Sequence, residues 1–215
     1  MKSGEKISFA KRIPVATYRL QFNRDFTFAQ ASEILEYLRD LGISDCYASP
    51  LFQAGPKSAH GYDVCCFSKW NPQLGGKKDF ENFAAKLHEL GLGLLLDMVP
   101  NHMGAADSNS WWVDVLENGR GSQYANFFDI DWDRPEPLRG KVLLPVLEDD
   151  YKKVLAAGKL DLEFEKQKFF IRYYERKFPV APESISAGEH RNPRKTLAAF
   201  RDDSAKLDAL IGRQH

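Results

Sequence analysis

The stretch that most constrains the fold is Leu92-Gly93-Leu94-Leu95-Leu96-Asp97-Met98-Val99-Pro100-Asn101-His102-Met103-Gly104, an apolar run that halts at an acid and continues into two further polar side chains. A strand covered on both faces reads as a continuous Leu/Val run rather than an alternating one, and this is the pattern of a buried parallel strand. Pro100 has no N–H to give to a sheet ladder, so the chain must leave the sheet there. Asp97, Asn101 and His102 are thereby expected at the C-terminal mouth of the strand.

Strand mouths build the active sites of α/β barrels, which makes a carboxylate and an imidazole at this position candidates for function. The same residues also suit plain turn chemistry, with Asp97 and Asn101 accepting backbone N–H bonds and His102 capping the next segment. The preceding chain supplies the context. Residues 15–22 read as a first strand. Phe28, Ala31, Ile34, Leu35, Leu38 and Leu41 recur at helical spacing, with Thr27 as N-cap and Gly42 as stop. Residues 43–48 form the second strand, 49–77 a long loop, and Phe80, Phe83, Ala84, Leu87 and Leu90 a second helix ended by Gly91. With residues 92–99 as the third strand, two right-handed βαβ crossovers predict a parallel sheet, open or closed into a barrel.

The loop after the second strand is punctuated by Gly and Pro and carries His60, Tyr62 and Asp63. Binding residues concentrate on loops held by rigid scaffolds. Tyr62 has the flat face and polar tip suited to stacking on a sugar ring, and His60 and Asp63 offer directional hydrogen bonds to hydroxyls. Packing and turn roles are the competing reading of each.

After His102 the rhythm changes. Trp111, Trp112, Tyr124, Phe127, Phe128 and Trp132 crowd a region of mixed polarity. Such density makes either a sugar-binding wall or a small satellite core, and core is favoured because aromatics are primarily packing material. Residues 164–174 alternate in the manner of one strand, Pro179 to Pro182 marks a break, residues 183–192 read as a mobile loop, and 197–211 as a final amphipathic helix.

Composition narrows the classes of function. The 215 residues are 43% hydrophobic and 28% charged, with 30 basic against 30 acidic side chains, an ordinary globular balance. There is no basic stripe for nucleic acid and no apolar run near the roughly 18 residues that span a bilayer, so neither nucleic acid nor membrane is expected as a partner. The N-terminal Met-Lys-Ser-Gly-Glu-Lys lacks an apolar secretory core. Three cysteines, Cys46, Cys65 and Cys66, have no zinc-type spacing. Adjacent side chains of an extended segment point opposite ways, so Cys65 and Cys66 are poor partners for each other. Reduced thiols and a cytoplasmic location are expected.

Taken together, His60-Gly61-Tyr62-Asp63-Val64 and Asp97-Met98-Val99-Pro100-Asn101-His102 resemble glycoside hydrolase family 13, the α-amylase family. In that family a Gly-Tyr-Asp loop follows the second barrel strand and an Asp-x-x-x-Asn-His element ends the third. Tyr18-Arg19-Leu20-Gln21-Phe22, Ser49-Pro50-Leu51-Phe52, Asn71-Pro72-Gln73-Leu74-Gly75-Gly76 and Lys141-Val142-Leu143-Leu144-Pro145-Val146-Leu147 make the resemblance narrower. They resemble the branch of intramolecular glucosyl mutases that convert the reducing-end α-1,4 linkage of a maltooligosaccharide to an α,α-1,1 linkage. One departure is Cys65-Cys66, where related sequences usually have an acidic residue.

The resemblance implies an α/β fold: about three βα units of a (β/α)8 barrel in residues 1–104, an inserted subdomain after the third strand in 105–190, and a helical segment leading back in 191–215. It implies an α-1,4-glucan substrate, with Tyr62 stacking on the glucosyl unit, His102 bonding its primary hydroxyl and Asp97 bracing the floor of the site through an arginine of a later strand. His60, Asp63, Gln21 and Asn101 are further candidates for the same pocket. No metal and no cofactor are expected. A retaining mechanism needs two carboxyl groups about 5–5.5 Å apart. By resemblance these lie on the fourth and fifth strands, beyond residue 215, so the 215 residues alone are expected to be inert. Alternative expectations are an α-glucan hydrolase and a non-catalytic glucan-binding chain. A metal-dependent hydrolase is disfavoured because the usual His-x-His strand is missing. The oligomeric state is left open, although an open sheet with apolar edges favours association.

Overall fold

The computed structural model describes residues 13–181. The chain divides into two compact units, Met1–Gly104 and Ala105–His215. The expected loop 183–192, the helix 197–211 and the segment 191–215 lie outside the described residues.

In the first unit, β1 (Thr17–Leu20), β2 (Asp45–Ala48) and β5 (Gly93–Leu96) form a parallel sheet in the order β1-β2-β5. The register sets Arg19 beside Tyr47, and Tyr47 beside Leu95. The helical stretch after β1 is two short helices, α1 (Phe28–Glu33) and α2 (Leu35–Asp40), divided at Ile34. The apolar positions still face one way: Phe28, Ala31, Leu35 and Leu38 are all buried. The amphipathic stripe therefore survives the break. Helix α3 (Gly76–Glu89) starts earlier than its apolar pattern, its first turn being polar, and buries Phe83 and Leu87. Leu20, Phe22, Phe28, Leu35, Leu38, Cys46, Leu74 and Phe83 form the core between helices and sheet. Within it Phe22 lies 5.0 Å from Phe28 and 5.7 Å edge-on to Phe83, within the range in which aromatic pairs add to simple burial.

Two features of this unit differ from the sequence reading. Residues 49–77 are not only loop: β3 (Phe52–Ala54) pairs antiparallel with β4 (Val64–Trp70), and a short 3₁₀ turn follows at Pro72–Leu74. The Gly/Pro punctuation hid strands whose register is irregular. The third strand is not covered on both faces, since Leu95 is 39% and Leu96 48% exposed. Strand β5 is an edge of the sheet as described, and an edge strand's apolar side chains wait for a neighbour.

In the second unit, α4 (Ser110–Asn118) is capped by the buried Asn109, whose Oδ1 accepts the N–H groups of Trp111 and Trp112 at 3.1 and 3.2 Å. Val115, Ala125 and Trp132 form a small core, with Trp112, Tyr124 and Phe128 against it, so most of the aromatic cluster is packing material. Phe127 is the exception at 64% exposed.

After α5 (Tyr151–Ala156), strands β6 (Leu160–Glu165), β7 (Lys168–Tyr173) and β8 (Arg176–Pro179) make an antiparallel sheet. The expected strand over 164–174 is thus two strands. Lys166 and Gln167 turn the chain between them with φ of 50° and 66°, the positive values a two-residue hairpin turn requires. The alternation itself is present: Phe169, Ile171 and Tyr173 are buried, with Val154 and Leu162, in a second core.

Candidate active site

The C-terminal ends of β1, β2 and β5 meet on one side of the sheet, and their polar side chains form a single network. Asp97 follows β5 directly, and its N–H continues the ladder to the Ala48 carbonyl at 3.1 Å. One oxygen of its carboxylate, Oδ2, accepts three bonds: from Tyr62 Oη at 2.5 Å, Tyr47 Oη at 2.9 Å and Arg19 Nη1 at 3.3 Å. Arg19 Nη2 reaches Tyr62 Oη at 2.9 Å and Gln21 Oε1 at 3.2 Å. The Arg19 guanidinium also lies 4.8 Å over the ring of its register partner Tyr47, a cation–π geometry.

Local sequence explains why these groups converge. Side chains two apart on a strand share a face, so Arg19 and Gln21 point together while Leu20 goes into the core. The Ser49 hydroxyl accepts the Phe22 N–H at 2.9 Å and the Ser49 N–H is held by the Leu20 carbonyl, which staples the end of β1 to the end of β2. The Tyr62 loop is braced from within. The hydroxyl of Ser58 donates to Asp63 Oδ1 and accepts the Gly61 N–H, and Nδ1 of His60 accepts the Tyr62 N–H at 3.0 Å. That last bond needs Nδ1 unprotonated, which leaves the ring proton of the neutral tautomer on Nε2. Gln21 Nε2 donates to the His60 carbonyl at 3.2 Å, tying the loop to β1.

The two motifs meet through their backbones. The Gly104 N–H bonds the Val64 carbonyl at 2.9 Å, and a Cβ on Gly104 would sit 3.0 Å from the Asp63 carbonyl oxygen. Behind the loop, Cys65 Sγ lies 3.3 Å from the carbonyl oxygens of Gln53 and Ala54.

The charge balance of the site follows from these contacts. Partial burial works against ionisation of Asp97, but the bonds from Tyr62, Tyr47 and Arg19 outweigh it and hold the carboxyl below the usual aspartate range. The Tyr62 phenol is pushed up, first by donating to Asp97 and then by burial, against the opposing pull of Arg19. Arg19 is held more firmly protonated, chiefly by its bond to Tyr62. At neutral pH the site is an ion pair with a neutral phenol between its members.

Of the seven residues expected to hold substrate, Gln21, His60, Tyr62 and Asp97 come together in this network. Asp63 braces the same loop. Asn101 and His102 lie exposed on the segment that follows Asp97 and make no hydrogen bond to it among the described residues. Arg19 and Tyr47 were not anticipated. The available signal was an arginine two positions from a glutamine in a strand whose intervening leucine is apolar. Among the described residues no group of three or more His, Cys, Asp or Glu side chains converges to hold a metal, and no helix is long and apolar enough to cross a membrane.

Residues 29–180 match the family model described as "Alpha amylase, catalytic domain". A Mycobacterium tuberculosis protein, named provisionally as a maltooligosyl trehalose synthase, is 43% identical over 143 residues, 63% of this chain and 18% of its own length. A crystal structure of a maltooligosyl trehalose synthase superposes with a TM-score of 0.74 at 35% identity, covering 86% of this chain and 24% of that one. The maltooligosyltrehalose synthase of Arthrobacter ramosus does so with a TM-score of 0.70 at 37% identity over 85% of this chain and 23% of its own. The chain thus spans about a quarter or less of the relatives it matches. With its family model covering most of its length and the Tyr62 loop joined to the Asp97 strand end, this chain belongs to the α-amylase family.

Proposed function

We propose that this chain is the substrate-holding N-terminal part of a maltooligosyltrehalose synthase, an intramolecular glucosyl mutase that turns the reducing-end α-1,4 linkage of a maltooligosaccharide into an α,α-1,1 linkage. What carries the reading is the likeness to synthases over 85% or more of this chain at 35 and 37% identity, together with 43% identity to the mycobacterial relative. In this reading β1, β2 and β5 are the first three strands of a (β/α)8 barrel and the residues after 104 are an insertion following the third strand. The network at the strand ends is the floor of the glucosyl subsite.

The Tyr62 ring stacks on the glucosyl unit, as a flat apolar face does against the C–H side of a sugar. His102 reaches its primary hydroxyl, and Gln21, His60 and Asn101 line the same pocket. Asp97 braces the floor. The nucleophile and the acid/base lie on strands beyond residue 215, and no metal or cofactor takes part. A cytoplasmic setting belongs to the same proposal.

The test is incubation of maltopentaose with the natural polypeptide that contains this sequence. The proposal expects reducing ends to fall with little free glucose released. A rise in reducing ends identifies a hydrolase, and saccharide affinity without turnover identifies a binding protein; either outcome overturns the proposal.

A further inference from the structure

Tyr62 is unusual among the residues of this site because its hydroxyl is spent at both ends. It gives its proton to Asp97 at 2.5 Å and accepts from Arg19 Nη2 at 2.9 Å. Arg19 in turn reaches Asp97 through Nη1 at 3.3 Å and Gln21 through Nη2, and its plane rests on Tyr47. A guanidinium can do this because its donors lie in a rigid plane, whereas an ammonium is a point charge on a flexible stem.

We propose that Arg19 is a positioning residue for the glucan site: by gripping Tyr62 and Asp97 with separate nitrogens while lying over Tyr47, it fixes the Tyr62 ring as a stacking platform. The proposal rests on reading this mouth as the glucosyl subsite. Its geometric content is independent of that reading. With its hydroxyl committed on both sides, Tyr62 offers substrate only its ring face, and the plane of that face is set by two bonds that share Arg19 and Asp97. Without Arg19, the phenol keeps one bond and can swing about it.

The groups that face Asp97 are Arg19 from β1, Tyr47 from β2 and Tyr62 from the loop, and His60 stacks on Tyr62 at 6.0 Å between ring centres. Arg19 favours the ionised carboxylate, so its removal raises the pH at which Asp97 titrates.

The experiment uses the natural polypeptide that contains this sequence, with Arg19→Met, Arg19→Gln and Arg19→Lys, each checked for folding by circular dichroism. The Asp97 carboxyl carbon and the Tyr62 ring are followed by NMR through a pH titration, and maltopentaose affinity is measured on the same samples. Arg19→Met and Arg19→Gln are expected to raise the Asp97 midpoint, shift the Tyr62 ring signals and weaken maltopentaose binding about tenfold, the scale of one lost charge-assisted bond. Arg19→Lys should restore most of the Asp97 midpoint but not the affinity, because one ammonium cannot hold both partners. Folded Arg19→Met or Arg19→Gln with an unchanged Asp97 midpoint and unchanged Tyr62 signals overturns the grip. If the parent chain binds no maltopentaose, the glucosyl-site reading fails, while the titration still decides whether Arg19 holds Asp97 and Tyr62. Normal parent binding with undiminished affinity in the variants overturns the positioning role and leaves the site reading intact.

Discussion

One carboxylate oxygen of Asp97 collects three donors, and this decides how the site responds to pH and mutation. Because the folded carboxyl is held below its ordinary value, its contribution to stability is fully present above the ordinary aspartate range and lost as pH falls through the lowered folded value. Asp97→Asn should flatten that acid limb in a series of urea melts. Tyr62→Phe removes the donor but keeps the ring. It should cost about 1 kcal/mol of stability and weaken saccharide affinity about tenfold, as loss of the Arg19 grip does, whereas Tyr62→Ala should abolish nearly all of it; isothermal titration separates the two. The thiols differ in the same physical terms. Burial pushes Cys46 up to about 11, while at the half-exposed Cys66 the Ser68 bonds and the Lys69 charge outweigh burial and lower it. Iodoacetamide should therefore modify Cys66 well before Cys46, read by peptide mass mapping. Asp97 and Tyr62 were legible because an acid ending an apolar run and an aromatic in a Gly/Pro loop break local pattern. Arg19 and Tyr47 were not, since their meeting depends on strand register, which single-strand pattern does not contain.

At the scale of elements, the parallel βαβ order and the burial of each helix face follow from periodicity, and the largest buried rings carry the cost of disruption. Phe83 touches Phe22 and Phe28 in the main core, so Phe83→Ala should destabilise the first unit by about 3–5 kcal/mol in chemical denaturation. The β6–β7 turn shows where pattern reading stops. The alternation of Phe169, Ile171 and Tyr173 is plain in the sequence, but Lys166-Gln167 has none of the Asn-Gly chemistry that announces a two-residue turn, so pattern alone gives one strand where two exist. Replacing Lys166-Gln167 by Asn-Gly should raise the melting temperature, because both positions hold positive φ. The exposed Leu95 and Leu96 are the reverse case. Their composition is that of a covered strand, whereas among the described residues they lie on an exposed edge of the sheet.

For the whole molecule, the family is shown by the match of residues 29–180 to the α-amylase catalytic domain. The chain supplies a loop and three strand ends that position Tyr62, Asp97 and Arg19, and the stretch it shares with its relatives is about a quarter or less of their length. Fold class was legible because two crossovers and a strand-end acid restrict the topology; the pairing of β3 with β4 was not, since its register shifts twice. The account's central claim is that these strand ends hold a glucosyl unit. The most direct measurement is a titration of the natural polypeptide that contains this sequence with maltopentaose, followed by NMR at assigned residues and repeated with Tyr62→Ala. The account predicts saturable shifts centred on Gln21, His60, Tyr62 and Asp97 that vanish in the variant. Shifts confined to residues after 104, or no saturable shift at all in the folded chain, would contradict it.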